Sequence, residues 1–243
     1  MFLPGAESRF AHRGLHDEQM RRNSLPAIVA AADAGYGIEF DVHLTAEGLP
    51  IVSHDPDTLH DTGVRHVIER TPWSVLRELR FTDTDVPLAT LDDVVAAVPP
   101  SVPLLIEIKP TRRMAEVVDA VTARVADRVD RVALQSFHPG VVLAARRRHA
   151  RFSCGQLVER PQPTMGALER WHSRTLWSNL LTRPQFLAFE VSMLAEPLAQ
   201  RWRSRLGVPL LAWTVRTPAE VEACRLAGAG MIFEGFRPER PPA

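Results

Sequence analysis

The strongest constraint on this chain is the alternation of short apolar runs with segments of helical period. Runs of β-branched and aliphatic residues recur at 8–11, 37–41, 104–108, 131–136, 151–157, 186–191, 209–215 and 230–233. Between most of them lie segments rich in Ala, Leu and Arg, at 24–34, 112–126, 139–149 and 218–227. The last has Thr217 as a cap, Pro218 at its first helical position and Gly228 as its stop. Strands that alternate with helices pair in parallel. Eight of them in 243 residues predict a closed (β/α)8 TIM barrel, read as a single domain over residues 1–243. A doubly wound open sheet is the alternative, disfavoured because no Gly-rich phosphate loop follows the first strand. The proline pairs at 99–100 and 161–163 are too short to be interdomain linkers.

One segment breaks the alternation. Residues 41–45 and 49–53 are separated only by Ala46-Glu47-Gly48. Three residues hold no crossover helix, so this is a hairpin after strand two, with Gly48 in the left-handed region. Pairing residues whose numbers sum to about 95 puts Asp41 across from His54, with β-carbons about 5 Å apart.

Active sites of such barrels collect at the carboxyl ends of the strands. These ends carry His12-Arg13-Gly14, Glu39-Phe40-Asp41, Glu107-Ile108-Lys109, Gln135-Ser136-Phe137, Trp213-Thr214-Val215 and Glu234-Gly235, and the hairpin returns His54-Asp55. Glu39 and Asp41 share a side of their strand, as do Glu107 and Lys109, while Val42 and Leu44 take the opposite one. Three converging carboxylates repel one another unless a cation intervenes. Hard oxygen ligands suit Mg²⁺ or Ca²⁺, so Glu39, Asp41 and Glu107 are the candidate metal ligands. His12 and His54 would flank the ion, two imidazoles able to act as base and acid in one turnover. Arg13 and Lys109 supply positive charge suited to a phosphate. Lys109 is the only lysine among 29 basic residues, in a chain that uses arginine everywhere else. A metal, two histidines and two cations describe phosphoester cleavage. No Gly-x-Ser-x-Gly motif is present, and Cys154 and Cys224 fall within a strand and a helix, which argues against a thiol nucleophile. With no side-chain nucleophile in evidence, the substrate's own vicinal hydroxyl is the expected attacking group, with His12 as base and His54 as acid.

Composition narrows the partners. The 29 basic and 29 acidic residues leave a formal net charge of zero, so nothing favours nucleic acid or an anionic membrane surface. The N-terminal residues have no basic segment followed by an apolar run, and no apolar stretch approaches eighteen residues. The expectation is a cytoplasmic enzyme acting on a small molecule.

Over nearly its whole length the chain resembles the glycerophosphodiester phosphodiesterases. The pieces that carry the likeness are Ala11-His12-Arg13-Gly14, Glu39-Phe40-Asp41-Val42, Glu47-Gly48, Val52-Ser53-His54-Asp55, Thr62-Gly63, Ile106-Glu107-Ile108-Lys109, Ser136-Phe137 and Trp213-Thr214-Val215, in that order. The resemblance implies a (β/α)8 barrel, a divalent metal, and cleavage of glycerophosphodiesters to glycerol 3-phosphate and an alcohol. It implies His12 and His54 as the paired histidines, Glu39, Asp41 and Glu107 as metal carboxylates, Lys109 as the site lysine and Trp213 as the aromatic at the rim. There are departures. The family's Pro-Glu-Asn-Thr is Arg21-Arg22-Asn23-Ser24 here, the asparagine after Trp-Thr-Val is Arg216, and the closing Thr-Asp-x-Pro is replaced by Phe233-Glu234-Gly235-Phe236-Arg237-Pro238. These changes add positive charge around the rim. Two other readings stay open, a barrel that binds phosphodiesters without cleaving them and a lysophospholipase D-like phosphodiesterase. The second needs an apolar groove, for which Phe186, Phe189, Met193 and Leu194 are candidates, though they read more simply as core.

Overall fold

The computed structural model describes residues 1–163 and 165–239, with residues 168 and 169 described by their backbone alone. Its strands are β1 (Arg9–His12), β2 (Gly37–Leu44), β3 (Pro50–Val52), β4 (Leu104–Ile108), β5 (Val132–Ser136), β6 (Ser153–Val158), β7 (Phe186–Glu190), β8 (Leu210–Val215) and β9 (Ala229–Phe233). All but β3 pair in parallel, running β1-β9-β8-β7-β6-β5-β4-β2, and β2 bonds back to β1 to close the ring. This is the (β/α)8 barrel expected from the alternation. The helices begin and end where their caps dictate. Ser24 Oγ accepts from Ala27 N at the head of Leu25–Asp33, whose Ala27, Ile28 and Ala31 are buried. Thr217 and Glu220 form a reciprocal capping box on Pro218–Ala227, and Gly228 ends that helix at φ 60°.

β3 hangs outside the ring, antiparallel to β2, with Val42 opposite Val52, His43 opposite Ile51 and Leu44 opposite Pro50. Gly48 holds the turn at φ 87°. The pairs sum to 94, which corrects the expected register. Asp41 faces Ser53, whose N–H donates to the Asp41 carbonyl at 3.1 Å, and His54 lies one residue beyond. The reason is local: Thr45 and Leu49 close the turn, so the pairing is centred on Glu47.

The barrel divides side chains by parity. The outer face of the sheet and the helices share one large core, which contains Ala11, Val42, Leu44, Ile106, Ile108 and Phe189. Inside the ring, Phe10, Leu105, Ala133, Leu157, Phe186, Leu211 and Ile232 make a second apolar cluster. Gly155 has no side chain because a β-carbon there would stand 2.2 Å from the Phe186 ring. Two residues further along six of the strands, the same inward series turns polar or aromatic: Phe10 leads to His12, Leu105 to Glu107, Ala133 to Gln135, Leu157 to Glu159, Leu211 to Trp213 and Ile232 to Glu234. The apolar plug is therefore the floor on which the site stands.

Candidate active site

Strand register sets the site. His12 pairs with Glu39 across β1 and β2, and Asp41 pairs with Glu107 across β2 and β4. Glu39, Asp41 and Glu107 are all buried, and one carboxylate oxygen from each lies within 4.8 Å of the others. Two oxygens on opposite sides of Mg²⁺ or Ca²⁺ stand about 4 to 5 Å apart, twice an ordinary metal–oxygen distance, so the trio fits one such ion.

The metal-free electrostatics are tense. Burial, with Asp41 and Glu107 alongside, raises Glu39 well above the usual carboxylate range. Burial also lifts Glu107, to about 7. Burial pushes Asp41 the same way, but the charges of Lys109 and Arg13 outweigh it and keep Asp41 ionised. Lys109 Nζ bridges Asp41 Oδ1 at 2.7 Å and Glu107 Oε1 at 2.5 Å. Burial opposes its charge, yet these two carboxylates raise it above its ordinary value. Arg13 Nε stands 3.2 Å from Asp41 Oδ2, and its backbone N–H donates to Glu39 Oε2. Both cations expected to meet substrate therefore already meet the acidic trio.

His12 and His54 line one cavity with Glu39, Glu107, Arg13, Lys109 and Trp213. Its volume is about 290 Å³. Each imidazole has its own carboxylate. His12 Nδ1 lies 2.9 Å from Glu234 Oε2, and His54 Nδ1 lies 2.6 Å from Asp55 Oδ1. A carboxylate beside Nδ1 favours the proton there and leaves Nε2 as the free ring nitrogen. Burial lowers His12 to about 4, against the pull of Glu234, and lowers His54 as well. Trp213 donates its indole N–H to the Ala188 carbonyl and meets Phe137 edge-on at 5.3 Å.

Several supporting residues went unassigned in the sequence. Glu234 at the end of β9 was placed at the rim and counted among the departures but given no role, yet it holds His12 and also pairs with Arg216 at 2.8 Å. The His12 hydrogen bond draws Glu234 down to about 2. Arg216 is thereby neutralised and adds little free charge to the rim. Arg22, half-buried, acts electrostatically on Asp55 and His16. Asn23 donates to Asp41 Oδ2 at 2.8 Å, and Gln135 donates to Glu39 Oε1 at 3.3 Å. His43, of the same parity as Glu39 and Asp41, pairs through Nε2 with the His54 carbonyl at 3.2 Å. That parity was the available signal for it. Burial lifts the Cys154 thiol to about 12 and the Cys224 thiol to about 11, so neither is a nucleophile.

A buried carboxylate trio set at a barrel rim between two carboxylate-held imidazoles is an arrangement suited to phosphoester cleavage. The sequence model of the glycerophosphoryl diester phosphodiesterase family matches residues 12–234, and the chain belongs to that family. Solved structures agree on the fold. A glycerophosphodiester phosphodiesterase from Thermotoga maritima is 27% identical, with a TM-score of 0.72 and 93% of each chain covered. One from Parabacteroides distasonis ATCC 8503 is 21% identical, with a TM-score of 0.77, covering 95% of this chain and 93% of that one. A phosphodiesterase from Oleispira antarctica, solved with the product sn-glycerol-3-phosphate, is 20% identical, with a TM-score of 0.77 and coverage of 93% and 92%. No curated protein matches the chain. Among the described residues no helix is long and apolar enough to cross a membrane.

Proposed function

We propose that this phosphodiesterase hydrolyses glycerophosphodiesters to glycerol 3-phosphate and an alcohol, using one divalent cation and the pair His12 and His54. The observation that carries the reading is the convergence of Glu39, Asp41 and Glu107 between two imidazoles that each keep a carboxylate on Nδ1. The product bound to the O. antarctica relative supports the substrate class. Glu39, Asp41 and Glu107 would hold Mg²⁺ or Ca²⁺, which supplies charge neutralisation and acidifies a bound hydroxyl.

The chain's own residues divide the remaining work. His12, the imidazole that burial drives to about 4, is neutral at physiological pH and takes the proton of the glycerol 2-hydroxyl on Nε2. That hydroxyl attacks phosphorus, and the P–O bond to the alcohol breaks. His54, less deeply enclosed and beside Asp41 and Asp55, protonates the departing alkoxide. Water then opens the cyclic phosphate with the two roles reversed. Arg13 and Lys109 face the phosphate's non-bridging oxygens, and Trp213 with Phe137 walls the glycerol. Release of choline and glycerol 3-phosphate from glycerophosphocholine, with and without EDTA, tests the reading. Full activity in EDTA removes the metal from it, and no release with Mg²⁺ or Ca²⁺ added removes the substrate class.

A further inference from the structure

The main chain of His54 lies outside the sheet, because one edge of β2 is shared. β1 occupies that edge as far as Glu39, and β3 takes it over from Val42 to Leu44. The last rung of the hairpin is the Ser53 N–H on the Asp41 carbonyl, after which the returning chain must leave β2. His54 is the first residue past that point. Its bond to Asp55, and the bond from Ser53 Oγ to the Asp55 carbonyl at 3.2 Å, join neighbours in one segment. They orient the ring within the segment without fixing the segment to the barrel. The side chain that reaches the His54 main chain from β2 is His43, whose Nε2 stands 3.2 Å from the His54 carbonyl oxygen. A carbonyl oxygen only accepts, so Nε2 carries the proton of this bond.

His43 is buried, and it lies two residues beyond Asp41 on the same strand. It pairs with Ile51, which belongs to the apolar cluster of Ile68, Leu76, Phe81 and Leu88. Directly opposed side chains share a face of the hairpin, with β-carbons about 5 Å apart, so His43 stands on the face that this cluster covers. It does not line the catalytic cavity, so its effect on the reaction passes through His54. We propose that His43 is a positioning residue for the acid step: by holding the His54 carbonyl it fixes that imidazole where its proton meets the oxygen of the departing alcohol. The inference rests on the assignment of His54 as acid in the phosphodiesterase reading above. The reaction is unchanged, with the P–O bond to the alcohol breaking as its oxygen takes the His54 proton. A misplacement of about 1 Å costs up to roughly 10²-fold, and here the cost falls on the step that needs the proton.

The test varies the leaving group, with Mg²⁺ or Ca²⁺ present. Choline departs from glycerophosphocholine as an alkoxide, which needs a proton. 4-Nitrophenolate departs from 1-glyceryl 4-nitrophenyl phosphate as a stabilised anion, which does not. His43→Leu is expected to lower kcat/KM for glycerophosphocholine at least about tenfold and that for the aryl diester by less than about threefold. His43→Gln puts an amide N–H in the place of Nε2–H and is expected to keep both values within about threefold of the parent. His54→Ala is the benchmark, with the same imbalance on the order of 10²-fold. The ratio of the two kcat/KM values is the quantity read, because it does not depend on how much of a variant folds. An unchanged ratio in His43→Leu, with the ratio shifted in His54→Ala, overturns the inference and leaves the phosphodiesterase reading standing. A ratio displaced as far in His43→Gln as in His43→Leu overturns it too. An unchanged ratio in His54→Ala removes the acid role from His54 and the inference with it.

Discussion

Replacing Glu234 by Gln isolates a charge that the ring closure brings to His12 from 222 residues away. The carboxylate accepts from His12 Nδ1 at 2.9 Å and meets Arg216 at 2.8 Å, and its side chain is 24% exposed. Glutamine keeps an oxygen for the imidazole but loses the charge. A hydrogen bond to an ionised group is worth about 1.5–3 kcal/mol against about 1 for a neutral one. The variant should therefore lose about 0.5–2 kcal/mol of transition-state stabilisation, or about 2- to 30-fold in kcat/KM. Its pH profile should move too. The negative charge favours the imidazolium, so removing it lowers the pKa of His12 and shifts the acid limb of kcat/KM to lower pH. Stability carries a third signature. Glu234 is depressed to about 2, so its contribution is present above the unfolded value near 4.5 and is lost as pH falls toward 2. The Tm difference between parent and variant should shrink across that window. Steady-state kinetics on glycerophosphocholine from pH 4 to 9 read the first two effects, and thermal melts read the third. A kcat/KM within twofold of the parent and an unmoved acid limb would refute the positioning role and leave Glu234 as a partner of Arg216 alone.

Three further outcomes follow from the same geometry. Because burial leaves Glu39 well above its ordinary value and Glu107 near 7, an incoming divalent ion displaces protons at neutral pH. Mg²⁺ or Ca²⁺ affinity should rise with pH through 7, and calorimetry in two buffers of different ionisation enthalpy should give different heats. Identical heats would place the protonation elsewhere. Lys109→Met leaves Asp41 and Glu107 without the cation between them, and the metal-free protein should lose about 3 kcal/mol of stability in urea melts, partly restored by a divalent ion. Loss under 1 kcal/mol would show that protonation of the acids compensates fully. A diester lacking the glycerol 2-hydroxyl should be cleaved at least about 10³-fold more slowly if the cyclic route operates, since intramolecular attack gains several kcal/mol. Equal rates would mean direct attack by water.

What could be read from the chain was whatever depends on period and neighbourhood. The two-residue repeat that places Glu39 and Asp41 on one side, and Glu107 with Lys109 on one side, is a property of any strand. The ring of parallel strands then makes that side the interior, which is why the acidic trio and Lys109 are where the spacing put them. His54–Asp55 is likewise a contact between adjacent residues. The hairpin register failed by one because it hinges on which residues close the turn, and the Thr45–Leu49 hydrogen bonds decide that.

The role of Glu234 beside His12 was illegible for a different reason. Its meaning arises only when β9 closes against β1 and its inward side chain, two residues beyond Ile232, arrives beside His12. The same closure bears on the acid that Arg22 displaces. A loop after β1 and the end of β9 are neighbours on the rim, so an acidic group lost from the first can be supplied by the second without moving the histidine. Arg22→Glu tests that substitution of roles. If Glu234 already supplies the charge His12 needs, adding an acid at position 22 should leave kcat on glycerophosphocholine within about fivefold, since a partly exposed charge at the rim is worth at most about 1 kcal/mol. It should also change the ranking of choline, inositol and glycerol head groups, because Arg22 acts on Asp55 and His16 at the rim. A gain of tenfold or more in kcat would show instead that the site lacks its acid and that Glu234 does not replace it.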